Sequence, residues 1–135
     1  NIVLNIMNKI LVEVSVGELL DKISILEIKQ EKIKDTEKMK FINDEYSILK
    51  SQLQLNIKKD NELEKLFQSL KKINLKLWVI ENKKRLCEKE KKFGEKFIKL
   101  SRDVHFLNDD RAKIKLKIND HTGSKIKEIK EYSNY

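Results

Sequence analysis

Only three arginines stand among the 30 basic residues of this 135-residue chain, and one of them, Arg111, falls where an apolar side chain is due. Around it, Phe97, Leu100, Val104, Leu107, Ile114 and Ile118 repeat at alternating spacings of three and four, the pattern of one buried helical stripe. A guanidinium there is a planar, permanently charged fork that lysine cannot imitate. Asn108 and Lys115 lie one turn to either side on the same face. Earlier in the chain, Glu81, Arg85 and Glu88 share a face by i, i+4, i+7 spacing, and Glu27 follows the apolar Ile23 by one turn. Brought together, Glu27, Glu81, Arg85, Glu88, Asn108 and Arg111 would form a charged layer between helices. Such a layer can hold a small anionic or hydroxylated ligand, with Arg85 and Arg111 as anion clamps. It can equally be an ion-pair network that fixes helix register at some cost in stability. The network is the favoured expectation. Arg102 lies nine residues from Arg111, about 180° around an ideal helix, and falls instead with His105 and Asp109 on a separate surface.

Other chemistries find less support. Cys87 is surrounded in sequence by Lys83, Lys84, Arg85 and Lys89, which would favour a thiolate. It has no neighbouring histidine to act as a base and it falls on an apolar register, so a buried, inert thiol is expected. His105 and His121 show no metal-ligand spacing, and a single cysteine excludes both a disulfide framework and a cysteine-cluster zinc site. No glycine-rich phosphate loop and no nucleophile elbow occur. No cofactor or metal is expected, and no catalytic residue can be named.

The elements that must position these residues are helical. Ser15-Val16-Gly17-Glu18 fits a capping box, which predicts a first helix from Val16 to about Lys34. Its stripe of Val16, Leu19, Leu20, Ile23, Leu26 and Ile33 is widened by Ile25 and Ile28, as in a helix covered on more than one side. Asp35-Thr36 opens a second helix with two rows: Met39, Ile42, Tyr46, Leu49 and Leu53, and Phe41, Ile48 and Leu55 at strict heptad spacing. After a turn at Lys58-Lys59-Asp60-Asn61, a third helix carries Leu63, Leu66, Leu70, Ile73, Leu77 and Ile80, with Phe67 and Trp78 beside the seam. The register skips near Gly94, so a turn is placed there, although residues 81–96 read ambiguously. A fourth helix ends near Asn119–Gly123, and Ser124 to Tyr132 could form one more short helix. Ile10–Val14, β-branched and apolar, reads as a strand or extended arm. The fold class is therefore all-α: a three- or four-helix antiparallel bundle with long coiled-coil-like hairpins and a short N-terminal strand or extended arm. A single domain is expected over residues 1–135, with 1–9 disordered or extraneous and 124–135 a tail.

Composition narrows the classes further. No proline and only three glycines argue against turn-rich sandwiches and barrels. The formal charge of +8 is carried by 27 lysines and confined to residues 58–135. One alanine against 17 isoleucines and 11 asparagines is the composition of an AT-rich coding sequence, so part of the lysine excess is mutational bias. The remaining asymmetry could attract RNA or another polyanion through Lys83–Lys99 and Arg111–Lys130. Nucleic acid is a less favoured partner, because arginine among aromatics and named binding motifs are missing. No apolar run approaches the ~20 residues of a membrane span. Asn1–Val16 lacks the marks of a secretory signal, so a cytoplasmic protein is expected.

Several phrases carry a family resemblance: Leu11-Val12-Glu13-Val14-Ser15-Val16-Gly17-Glu18-Leu19-Leu20-Asp21-Lys22-Ile23, the Leu77-Trp78 pair followed by Glu81 and Arg85, and Asn108-Asp109-Asp110-Arg111-Ala112 through Lys115 to Ile118-Asn119. Over about residues 9–132 the chain resembles a family of small bacterial and viral proteins catalogued as a domain of unknown function. The resemblance implies a mainly helical fold and occasional company with surface-glycan biosynthesis enzymes, and it supplies no catalytic residue. It also implies that members start just before Ile10, with Met7 as initiator and residues 1–6 extraneous.

The leading expectation is a non-enzymatic helical interaction or assembly module, as a homo-oligomer or with a protein partner. A small helical enzyme or anionic-ligand-binding protein and a polyanion-binding protein are the alternatives.

Overall fold

The computed structural model describes residues 8–131. Four helices and no strand occur among them: α1 (Val16–Lys32), α2 (Thr36–Asn56), α3 (Asn61–Glu90) and α4 (Glu95–Thr122). Each start follows from local chemistry. The side chains of Ser15, Asp35 and Asp60 accept from the backbone N–H groups of Glu18, Lys38 and Leu63, at 3.0, 2.9 and 2.7 Å, satisfying donors that a helix cannot pair internally. The ends are equally legible. Gly123 takes up the left-handed conformation (φ 66°) that closes α4, and Lys91 does so at the end of α3 (φ 56°).

α1 is the central helix. Its backbone comes close to each of the other three, whereas α2 comes close to α1 alone. This accounts for the widened apolar stripe: Leu20, Ile23, Leu26 and Ile28 are all buried. Leu20 and Ile23 meet Leu63, Phe67 and Leu70 of α3 and Ile118 of α4, with Tyr46, Leu49 and Leu53 of α2 packed against the cluster. Each large aliphatic side chain buried this way contributes roughly 1.5–3 kcal/mol. α3 and α4 fold back on one another through residues 91–94. Asp60 meets His121 at one end of the pair, and Lys84 lies over the Phe97 ring near the other.

Two expectations need revision. No strand forms at Ile10–Val14; Ile10 and Leu11 are 88% and 92% exposed, with no neighbouring strand to satisfy their backbone. No helix follows Gly123 over residues 124–131, and Tyr132 lies outside the described residues. The tail is used otherwise: Ser124 Oγ accepts from the Val16 N–H at 3.2 Å, and Glu128 pairs with Lys115 at 3.1 Å. Residues 81–96 divide cleanly, with α3 continuing to Glu90 before the turn. The expectation for residues 1–6 falls outside the described residues.

Candidate functional site

The polar interior is built where α1 crosses α3 and α4. Asp21 on α1 is 1% exposed. Its Oδ1 accepts from Arg111 Nε and from Asn74 Nδ2, both at 2.9 Å, while its Oδ2 accepts from Arg111 Nη2. The second hydrogen of the Asn74 amide goes to Ser24 Oγ at 2.8 Å, and that hydroxyl donates to the Asp21 carbonyl at 2.8 Å. Burial alone would push the Asp21 carboxyl up. The hydrogen bonds from Arg111 and Asn74, and the positive charges of Arg111 and Lys115, outweigh burial and hold it below the ordinary value of 3.8. Arg111 is raised in turn, chiefly by its hydrogen bonds to Asp21. Three helices are thus fastened by one fully partnered cluster.

One turn toward the chain ends the same logic repeats. Lys115 reaches Glu18 at 2.7 Å and Glu128 at 3.1 Å. Burial would lower its ammonium, yet these two carboxylates raise it. Asn119 Oδ1 accepts from the Gly17 N–H at 2.7 Å. With Ser124 on Val16 and Ser15 on Glu18, the first three N–H groups of α1 are all occupied, so this helix N-terminus offers nothing to an anion. Glu18, the acidic partner of the expected capping box, is diverted to Lys115. Gly17 is required here by proximity rather than by backbone angle: a Cβ at this position would stand 2.6 Å from the Lys115 carbonyl oxygen.

The six residues singled out in the sequence are placed in different surroundings. Glu81, Arg85 and Arg111 line one groove of about 360 Å³ between α1, α3 and α4. Ile25, Ile28 and Leu77 give it an apolar floor and Trp78 a flat wall. Glu27 lies elsewhere, between α1, α2 and α3, accepting from Tyr46 Oη at 3.1 Å and from Lys71 Nζ at 3.2 Å; Lys71 also meets Glu31 at 2.9 Å. Burial and the Glu27 charge push the Tyr46 phenol up. Glu88 is exposed near the end of α3, paired with Lys91 at 2.9 Å. Asn108 is half-buried on α4 and is not part of the groove. Cys87, on α3, is a buried free thiol, as its apolar register suggested.

Asp21, Ser24 and Asn74 were not singled out from the sequence. A signal existed for each: Asp21 and Ser24 flank the core residue Ile23, and Asn74 is a weak helix former in the middle of a thirty-residue helix. The basic half of the chain is also less free than its composition suggests. Lys91, Lys92, Lys99, Lys115, Lys127 and Lys130 all pair with carboxylates.

The family model described as "Family of unknown function (DUF6165)" matches residues 10–135. The chain belongs to that family. The family match takes in all four helices, the Asp21 cluster and the groove. No curated protein and no solved structure matches the chain significantly. No helix among the described residues is long and apolar enough to cross a membrane.

Proposed function

We propose that this member of the family is a non-enzymatic helical assembly module whose chains pair through the outer face of α2. The observation that carries the reading is the second apolar row of that helix. Phe41, Ile48 and Leu55 are 72%, 64% and 78% exposed, although their heptad spacing aligns them along one side. A row of large apolar side chains left exposed among the described residues is a candidate contact surface.

A second copy of the chain is the occupant that fits best. Phe41 and Leu55 each stand seven residues from Ile48, so a two-fold axis at Ile48 sets Phe41 of one copy against Leu55 of the other. Charge favours the antiparallel arrangement. It places Asp44 and Glu45 opposite Gln52 and Ser51, whereas parallel pairing would set each carboxylate against its own copy. The pair so formed is a short, coiled-coil-like antiparallel contact, added to the helices of each copy. Company with surface-glycan biosynthesis enzymes, implied by the resemblance, belongs to the same reading as a scaffold role.

Sedimentation velocity across a concentration series tests it. A reversible dimer is expected at tens of micromolar, lost in Ile48→Glu. A wild-type chain that stays monomeric throughout that range contradicts the proposal.

A further inference from the structure

The groove between α1, α3 and α4 contains a cationic group that the fold does not use. Arg85 is exposed and makes no ion pair with the described residues, although Glu81 lies one turn before it on the same helix. The contrast with Arg111 is direct: that side chain spends one N–H from each of Nε and Nη2 on Asp21 and is committed to the fold. Two of the chain's three arginines therefore converge on one groove, in a protein that otherwise uses lysine for positive charge. Between them lie the apolar floor of Ile25, Ile28 and Leu77 and the wall of Trp78.

From this juxtaposition we propose that the groove is a binding site for a small organic monoanion with a flat apolar body. The acid group, a carboxylate or sulfonate, would be held by the Arg85 fork, which matches planar oxyanions in a way that an ammonium does not. The apolar body would lie on Ile28 and Leu77 against the Trp78 ring. The groove's volume of about 360 Å³ lies at the small end of the range for small-molecule pockets. Charge sets the limit on the ligand. Asp21 neutralises Arg111, and Glu81 opposes Arg85, so the local field is too weak to hold a polyanion. Apolar contact supplies affinity and Arg85 supplies orientation. None of the lining residues comes from α2, so this site stands or falls independently of the pairing through that helix.

The chain's single tryptophan is a built-in reporter, because Trp78 is itself part of the wall. The probe is 8-anilinonaphthalene-1-sulfonate, compared with N-phenyl-1-naphthylamine, which keeps the aromatic body and lacks the sulfonate. The readout is the indole N–H cross-peak of Trp78 in ¹⁵N-labelled full-length protein. Saturable, single-site movement of that peak by the sulfonate is expected. Arg85→Gln should weaken binding about tenfold or more, the scale of one charge-assisted hydrogen-bonding group, and Arg85→Lys by less. Glu81→Gln should tighten it by removing a like charge. Arg102→Gln, away from the groove, should leave it unchanged, and the neutral probe should not respond to Arg85→Gln. Inorganic phosphate should not displace the sulfonate. The proposal is overturned if the Trp78 peak does not move, if Arg85→Gln binds the sulfonate as tightly as wild type, or if phosphate competes as well as the aromatic anion. Arg85 supports no contact that the fold depends on, so an unchanged helical circular dichroism spectrum is expected for each substitution at this position.

Discussion

The crossing of α1 over α3 and α4 and the outer face of α2 are opposite solutions to the placement of unusual side chains. At the crossing, polar groups enter the interior and every one is matched. Asp21 has Arg111 and Asn74, Lys115 has Glu18 and Glu128, and Asn119 has Gly17. No buried side-chain nitrogen or oxygen among the described residues lacks a partner. On α2 the mismatch runs the other way: Phe41, Ile48 and Leu55 are apolar and face solvent. The first region is costly to alter because each group is buried with its counterpart. The second is cheap to alter because its side chains are exposed among the described residues. Folding therefore resides in the crossing, and the face left over is where a role outside the chain is to be sought.

The two regions respond differently to substitution, and the largest effect belongs to the crossing. Arg111→Ala leaves Asp21 buried without its cation and should destabilise the protein by about 3 kcal/mol. That is the low end for breaking a buried pair, since part of the guanidinium is solvated. Urea unfolding measures this directly. A loss under about 1 kcal/mol would place the cluster with weak surface pairs. Gly17→Ala should cost about 1–3 kcal/mol, because its methyl group meets a backbone carbonyl that cannot move without separating α1 from α4. An unchanged melting temperature would show that the crossing is looser than its distances imply.

Acid should reveal the same cluster. The folded-state value of Asp21 lies below 3.8, so its stabilising contribution is complete above that ordinary value and is lost as pH falls through the lower folded value. Stability should therefore decline below about pH 4 with a slope to which Asp21 contributes. In Asp21→Asn the protein is less stable at neutral pH and the acid decline is shallower. Urea midpoints measured from about pH 6 to about pH 3 would show whether the two curves converge. Curves that stay parallel would remove Asp21 from the acid response. The smallest effect on folding belongs to α2. Ile48→Glu should change monomer stability by no more than about 0.5 kcal/mol, while Ile48→Ala and Phe41→Ala weaken pairing progressively.

Much of this architecture was legible because it rests on local patterns. The Ser15 and Asp35 caps, the turn at Lys58-Lys59-Asp60-Asn61, the three-and-four spacing of the seams and the skip near Gly94 each report on a few adjacent residues. Arg111 was legible as a guanidinium on an apolar seam. Its partner was not, because Asp21 lies ninety residues away and beside its own seam rather than on it. Glu27, Glu81 and Glu88 share a charge with Asp21, and only packing distinguishes the buried Asp21 from the half-buried Glu27 and the exposed Glu81 and Glu88. The tail misled for a related reason. Ser124–Glu131 has a composition compatible with a helix, but Ser124 and Glu128 gain more from the unpaired groups of Val16 and Lys115 than from one isolated turn. The exposed row on α2 was visible as a heptad, while its exposure depended on α2 packing inward through its other row, Tyr46, Leu49 and Leu53, against α1 and α3.

The central claim is that the uncovered face of α2 is a site of pairing between chains. Sedimentation velocity on wild type and Ile48→Glu, with both confirmed folded by thermal melting, tests it most directly. Two-fold symmetry enters each substitution twice per dimer, so a single change should be decisive. The account predicts a concentration-dependent dimer for wild type and a monomer of equal melting temperature for the variant. A wild-type monomer at tens of micromolar, or a dimer that Ile48→Glu leaves intact, would contradict it.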